Sequence, residues 1–309
     1  MDLSNENIIH QKKNGIEYLQ FRKLLQYPEL IHCYTLKTND FDVAGNDTYK
    51  DKIDMVHQNY DKLSNALELQ KQTIIRPYQN HTNIVKNVGA GLVSDIEQTL
   101  TKIRAEMDSA PTQNKMNVGA DSISAQNNQT PTIRICPPQL NNVDGLITNI
   151  PNITFSLTYA DCTPLYLYDQ VKKVISNIHS GWKGTLQRIG QIAAKNMIEE
   201  YGGNPENIIC CIGPCIKKCH FEVSQDVKEQ FAKEFKEMEL DEIIEDKGNN
   251  KFLIDTILIN KNMLKQIGVK EENIIDSGIC TVCNEKQMHS YRAHKEAAGR
   301  NTAIIGLRK

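Results

Sequence analysis

No apolar run in this sequence approaches the roughly 18–20 residues needed to span a bilayer, and tryptophan occurs once. Neither sign of charge dominates: 36 Lys and Arg stand against 38 Asp and Glu, a formal net charge of −2. With a pI near 6.5, no general attraction to nucleic acid or to an anionic membrane is expected. Met1-Asp2-Leu3-Ser4-Asn5-Glu6 has neither a basic nor an apolar region, so no secretory signal is read there and the expected location is the cytoplasm. No internal repeat of fixed period occurs. What remains is a chain of 309 residues, 39% hydrophobic and 24% charged, as in globular proteins with a real core. Collagen, disorder throughout and a coiled coil are excluded.

The length fits about two domains, or one larger domain carrying an insertion, at roughly 150 residues per domain. A compositional break runs from about Thr99 to Asn142 and includes Ser109-Ala110-Pro111-Thr112-Gln113-Asn114 and Ser124-Ala125-Gln126-Asn127-Asn128-Gln129-Thr130-Pro131. Such polar stretches offer few anchors to a core, so the segment reads as an insertion, mobile at least in part. Nine cysteines are many for a cytoplasmic enzyme and few for a secreted disulfide scaffold. Their number is odd, so free or metal-binding thiols are the default reading.

Beyond the insertion the pattern is regular. Ile153 to Tyr168 is rich in β-branched and aromatic residues and predicts strand, and Val174 to Ile178 predicts a second strand after a turn near Asp169-Gln170. Leu186, Ile189, Ala193, Met197 and Tyr201 recur at helical spacing, and Gly202-Gly203 supplies the stop. Asn207 to Ile212 predicts a strand, and Ser224 a cap for a helix carrying Val227, Phe231, Phe235 and Met238. Phe252 to Ile254, Ile274-Ile275 and Ala303 to Ile305 predict further strands, with a helix over Ile257 to Ile267. Strands and helices intermix without a βαβ rhythm, which favours an α+β domain with mixed sheets over a doubly wound one.

The densest chemical signal is Thr158-Tyr159-Ala160-Asp161-Cys162-Thr163-Pro164, followed by His179-Ser180-Gly181-Trp182-Lys183-Gly184. Cys162 ends one strand candidate, where Pro164 is expected to bar regular pairing, and His179 ends the next. If these strands are neighbours, thiol and imidazole face one pocket, and Gly181 and Gly184 leave backbone open before a helix, where an anion would be favoured. The residues themselves lead as far as a Cys/His site.

These two strings resemble the A-D-C-x-P and H-A-G-W-R/K-G signatures of the YfiH-like, laccase-domain polyphenol oxidase family. Val143-Asp144-Gly145-Leu146-Ile147-Thr148, Ile212-Gly213-Pro214-Cys215-Ile216, His220-Phe221-Glu222-Val223 and Tyr78-Gln79-Asn80-His81 are similar to further family segments. So is the closing stretch Cys280-Thr281-Val282-Cys283, Ser290-Tyr291-Arg292 and Gly299-Arg300. The resemblance covers roughly residues 30–95 and 143–309. It implies a single laccase-domain-like catalytic domain over 1–309, with an α-β-β-α arrangement of mixed sheets and flanking helices.

Carried over position by position, the resemblance implies a zinc site of His81, Cys162 and His179. One thiolate and two imidazoles leave a fourth position open for water or substrate, and zinc-bound water that ionises near neutral pH could deaminate adenosine. The family implies purine nucleoside phosphorylase activity on adenosine, inosine and S-methyl-5′-thioadenosine, with purine nucleosides and phosphate as the small-molecule partners. Lys37, Lys183, Arg292 and Arg300 are the candidates for the phosphate charge. The sequence departs from the family at Lys37, which replaces an arginine and loses its bidentate fork, and at Met288-His289 and Ala293.

Copper is the less favoured metal, because a type 1 and trinuclear arrangement needs clustered histidine motifs and the eight histidines here are scattered. Cys210, Cys211, Cys215, Cys219, His220 and the Cys280-x-x-Cys283 pair could assemble a structural zinc or iron–sulfur site. A lone C-x-x-C is a weak signal and the groups lie far apart in sequence, so a second metal is not the favoured expectation. Adjacent Cys210 and Cys211 on a buried strand should point to opposite faces. Two rival functions stay open: a metal-free cysteine hydrolase using Cys162 and His179, and a non-catalytic zinc-binding regulatory module.

Overall fold

The structure is a computed structural model that describes residues 1–38, 41–43, 53–69, 72–95, 98 and 133–309. Most of the polar stretch from about Thr99 to Asn142, up to residue 132, lies outside the described residues. Its last ten residues are built into the fold: β6 (Ile133–Ile135) joins a sheet, and Leu140 is buried in the main core.

Two large sheets lie face to face. The first contains β1 (Ile8–Lys13), β2 (Ile16–Phe21), β3 (Leu30–Thr35), β4 (Thr73–Ile75), β6, β8 (Ile153–Tyr159) and β16 (Asn301–Leu307), in the order β1-β2-β3-β16-β8-β4-β6. The second contains β5 (Val85–Asn87), β7 (Gly145–Thr148), β9 (Thr163–Asp169), β10 (Val174–Ser180), β11 (Ile208–Ile212) and β15 (Ile274–Asp276), in the order β15-β11-β9-β10-β7-β5. Both mix parallel and antiparallel pairs, as expected for an α+β domain.

The period-2 alternation of the strands divides the core into layers. Phe155, Leu157, Ala303 and Ile305 of the first sheet meet Tyr166, Tyr168, Ile209 and Cys211 of the second in one buried cluster. On the far side of the second sheet, Leu165, Leu167, Ile208 and Cys210 pack against two helices through Ile189, Ala193, Met197, Ile257 and Leu264. On the far side of the first, Ile31, Cys33 and Ile304 pack against Val56, Tyr60 and Leu63 of helix α1 (Ile53–Leu67). The result is the α-β-β-α layering, with Cys210 and Cys211 on opposite faces of β11.

The expected helix from Leu186 to Tyr201 is two helices, α2 (Trp182–Leu186) and α3 (Ile189–Tyr201), broken where Arg188 takes a left-handed φ of 59°. Gly202, left-handed at φ 63°, ends α3. Pro164 does not interrupt pairing. It stands second in β9 opposite His179, where a missing N–H is tolerated at the strand's start, and its carbonyl accepts from Gly213 N at 2.9 Å.

A smaller lobe completes the chain. β12 (Glu222–Ser224), β13 (Ile244–Gly248) and β14 (Lys251–Ile254) form a third sheet. Phe231, Phe235, Phe252 and Ile254 make its own core together with α4 (Gln225–Glu234), α5 (Leu240–Ile243) and α6 (Thr256–Gln266). Ser224 is the N-cap residue of α4, but its hydroxyl donates to the Asp226 carboxylate rather than accepting from the backbone. The α6 cap, Asp255, accepts from Ile257 N and Leu258 N. A last short helix, α7 (Tyr291–His294), precedes β16.

Candidate functional site

Three segments from different parts of the chain meet at one end of the second sheet. Cys162 lies in the tight turn from β8 to β9, His179 near the end of β10, and His81 on the loop between β4 and β5. Antiparallel pairing of β9 with β10 places the turn beside His179. The His81 and His179 rings stand 5.0 Å apart edge to face, and His81 Nε2 lies 3.8 Å from Cys162 Sγ. One donor atom from each of His81, Cys162 and His179 lies within 4.8 Å of the others.

Two residues near the site hold strained backbone, and carboxylates explain how each is tolerated. His81 has φ 57°, and the amides of Asn80, His81 and Thr82 all donate to the buried Asp144 carboxylate at 2.7–3.2 Å. The same carboxylate accepts from the Thr82 hydroxyl at 2.8 Å and pairs with His179 Nδ1 at 2.7 Å. Asp144 thus sets the position of both histidines and leaves His179 Nε2 for the Cys162 side. Asp161, immediately before the cysteine, has φ 89°. Its carboxylate accepts from the Thr281 hydroxyl and the Arg292 amide, each at 2.6 Å, and its carbonyl from Ile216 N at 2.9 Å.

Gly181 owes its place to space rather than to backbone freedom, since its φ is an ordinary −69°. A Cβ there would sit 2.8 Å from His81 Cδ2 and 3.1 Å from Cys162 Sγ. Gly181→Ala is therefore expected to push His81 off Cys162, weaken metal retention and destabilise the fold by about 1–3 kcal/mol, the usual cost of overpacking. Melting temperature and metal content of the purified variant check this.

The electrostatics are those of an ion pair. Burial alone would raise the Cys162 thiol, but the His179 and His81 imidazoles outweigh it and bring the pKa down to about 6. Burial would lower His179, yet the Cys162 thiolate and the Asp144 carboxylate raise it to about 9. Burial likewise acts against the Asp144 carboxylate, which His179 and Thr82 hold at about 2. Without a bound metal, these shifts favour thiolate, imidazolium and carboxylate in a row.

These residues open into a cleft of about 1170 Å³ that is also lined by Tyr78, Trp182 and Phe221. Among the described residues, no methionine lines it, and its only histidines are His81 and His179. Of the four cations expected for phosphate, Arg292 and Arg300 line the cleft, while Lys37 and Lys183 do not. Lys183 Nζ lies over the Trp182 ring, 5.6 Å from its centroid, and the Lys37 amide donates to Gln287 O. Arg292 reaches the carbonyls of His220 and Glu222 at 2.7 and 3.0 Å, and Arg300 Nη1 those of Ala298 and Gly299 at 2.9 and 3.0 Å. Arg76, Lys251 and Lys295, none of them in a recognisable motif, add positive charge to the cleft.

The roles of Asp144 and Asp161 are not legible in sequence, because no spacing ties Asp144 to His81 or Asp161 to Thr281. Gln79 was missed in the same way. Its side-chain amide bonds both the N–H and the C=O of Thr158 and ties the His81 loop to β8.

Comparison with known proteins agrees with the fold. The chain superposes on YlmD from Geobacillus stearothermophilus with a TM-score of 0.74 at 19% identity, covering 100% of both chains. It is 32% identical over 170 residues to the purine nucleoside phosphorylase YlmD of Bacillus subtilis (strain 168), 55% of this chain and 60% of that protein. It is 31% identical over 153 residues to the adenosine deaminase RL5 of an unknown prokaryotic organism, 50% of this chain and 58% of that protein. The matched part thus spans only about three fifths of these curated relatives. No helix among the described residues is long and apolar enough to cross a membrane. Since the family model described as multi-copper polyphenol oxidoreductase laccase matches residues 39–308, the chain belongs to that family.

Proposed function

We propose that this chain is a zinc-dependent purine nucleoside phosphorylase acting on adenosine, inosine and S-methyl-5′-thioadenosine, with adenosine deaminase activity. The observation that carries the reading is the convergence of one thiol and two imidazoles beside an aromatic-lined cleft. Relatives named purine nucleoside phosphorylase and adenosine deaminase support it.

The donor set suits zinc: His81, Cys162 and His179 are two nitrogens and a sulfur, with Asp144 orienting one imidazole from behind. Zinc held there would supply Lewis acidity at an open coordination position. Copper fits less well, since a type 1 centre adds a weak axial ligand, commonly methionine, to such a set. A trinuclear copper group would need histidines beyond the two in the cleft.

The chain's own residues account for the rest. Tyr78, Trp182 and Phe221 offer faces for a purine and ribose. Arg300 commits only Nη1 to carbonyls among the described residues, so it keeps N–H groups for phosphate, and Arg76, Lys251 and Lys295 add to the field. Arg292 braces the cleft wall through its carbonyl contacts.

The test is incubation of purified protein with adenosine or inosine, with and without phosphate, and separation of the products. Phosphate-dependent free base supports phosphorolysis, and inosine from adenosine supports deamination. Neither product from protein confirmed to hold zinc rejects the reading and favours the regulatory module.

One observation favours a second reading. Cys162, His179 and Asp144 line up as thiolate, imidazole and orienting carboxylate, the arrangement of a cysteine hydrolase. This enzyme would be indifferent to chelators and blocked by iodoacetamide. In the zinc enzyme, a chelator removes activity and exposes the thiol. Because the pKa is depressed, the metal-free thiol is thiolate above about pH 6 and is lost as thiolate only below it. Alkylation of metal-free protein is therefore expected to rise with a midpoint near pH 6, well below the roughly 8.5 of a free cysteine. A stopped-flow or mass-spectrometric pH series on Cys162 checks this.

A further inference from the structure

We propose that Cys219, His220, Cys280 and Cys283 form a second metal centre, a closed Cys₃His zinc site that braces the wall beside Cys162. The sequence did not favour this, because the Cys219-His220 pair lies some sixty residues before the C-x-x-C. The fold brings them together: one donor atom from each of the four lies within 4.8 Å of the others. Cys210, Cys211 and Cys215, grouped with them by sequence, take no part and are buried in strand and loop packing.

The distances match zinc coordination. Zn–S bonds of about 2.3 Å and Zn–N bonds of about 2.0–2.1 Å in a tetrahedron put sulfurs about 3.8 Å apart and sulfur about 3.5–3.6 Å from nitrogen. Cys219 Sγ lies 3.9 Å from Cys283 Sγ. His220 Nδ1 lies 3.7 Å from Cys280 Sγ and 3.5 Å from Cys283 Sγ. Its distance to Cys219 Sγ is shorter, at 3.1 Å. The sulfurs are far from the roughly 2.05 Å of a disulfide, and one disulfide would leave a thiol and an imidazole without a task. Four protein donors fill a tetrahedron, which marks a structural rather than a catalytic zinc site.

The two ligand pairs lie on segments that leave one edge of the second sheet together. β11 and β15 are parallel neighbours, and beyond them Cys215 and Cys280 form a parallel bridge. Thr281 N donates to Cys215 O at 3.0 Å. Both segments grip Asp161, one through Ile216 N and the other through the Thr281 hydroxyl. Arg292 adds its amide to Asp161 and a guanidinium contact to the His220 carbonyl. A metal clipping the two segments fixes the frame that holds Asp161 at its strained φ and so aims Cys162. This second centre does not depend on the nucleoside reading.

The test counts zinc per chain by elemental analysis and native mass spectrometry on protein prepared under reducing conditions with zinc supplied. Wild type is expected to hold two ions, and Cys162→Ser to keep one. The Cys219→Ser/Cys283→Ser double variant is expected to lose one ion and to melt at a lower temperature. Cobalt substitution gives a second readout, a thiolate charge-transfer band that persists in Cys162→Ser and disappears when Cys219→Ser and Cys283→Ser are added to it. His220→Cys preserves four donors and is expected to retain both ions. A metal-free Cys162→Ser protein overturns the proposal, as does a double variant holding as much zinc as wild type. A Cys219–Cys283 disulfide in freshly isolated protein overturns it as well. If the double variant does not fold, the ion count of Cys162→Ser decides alone.

Discussion

Cys162→Ser is expected to lose the metal held with His81 and His179 and to reduce nucleoside turnover to background, while the fold survives. A serine hydroxyl occupies nearly the same space but stays neutral at pH 7, so the site loses the only anionic donor among its three ligands. The remaining pair of imidazoles is a poor match for zinc. The loss should exceed the roughly 10–100-fold typical of disturbing a group that only touches a ligand. Cys162 is half-buried in a turn and not packed at the centre of a core cluster, so stability should change little. Cys210→Ser is the contrasting variant. Cys210 is fully buried between β11 and the helices, where an unpaired hydroxyl costs about 1–3 kcal/mol, yet turnover per folded molecule should stay near wild type. Equal loss of activity in both variants would mean the site is misplaced.

Asp144 is expected to be the residue whose removal costs most, because five donors converge on one buried carboxylate. Asp144→Ala leaves those donors and a buried imidazolium without their acceptor, an effect of about 3–5 kcal/mol on unfolding free energy. Asp144→Asn is the milder and more informative change. An amide can keep one oxygen on His179 Nδ1 and the His81 N–H, but its NH₂ must then face the donors of Asn80 and Thr82. Metal affinity should fall roughly 10–100-fold. In metal-free Asp144→Asn protein, His179 loses one of the groups that raise its pKa. It therefore becomes neutral at lower pH, and the midpoint for Cys162 alkylation should move upward from about 6. Denaturant unfolding, metal titration and the alkylation pH series separate the three effects. Unchanged metal affinity in Asp144→Asn would mean that His81 and His179 hold their places without it.

Much of the layering was legible because the second half of the chain obeys simple periods. Ile209 and Cys211 point one way and Cys210 the other, as alternation requires, and Gly202 ends α3 where the helical pattern stops. The helix break at Arg188 was not legible, since a left-handed arginine has no sequence signature. Nor was the pairing of Pro164. A proline reads as a breaker until it is known that the lost N–H falls at the beginning of a strand, beside neighbours that use only its carbonyl.

The candidate site divides in the same way. Cys162 directly precedes β9 and His179 lies on its antiparallel neighbour β10, so two motifs close in sequence place thiol and imidazole side by side. His81 came through likeness to a family segment, and its distance from Cys162 is set by a loop that only Asp144 organises. By itself, the sequence determined the α+β class, the strands and helices of the second half, and the thiol–imidazole pair at its centre. The tertiary structure decided which carboxylates hold His81 and Cys162 in left-handed surroundings, which cations reach the cleft, and that Cys219-His220 meets Cys280-x-x-Cys283. Those facts depend on which strands become neighbours across long stretches of chain, and local periodicity carries no record of that choice.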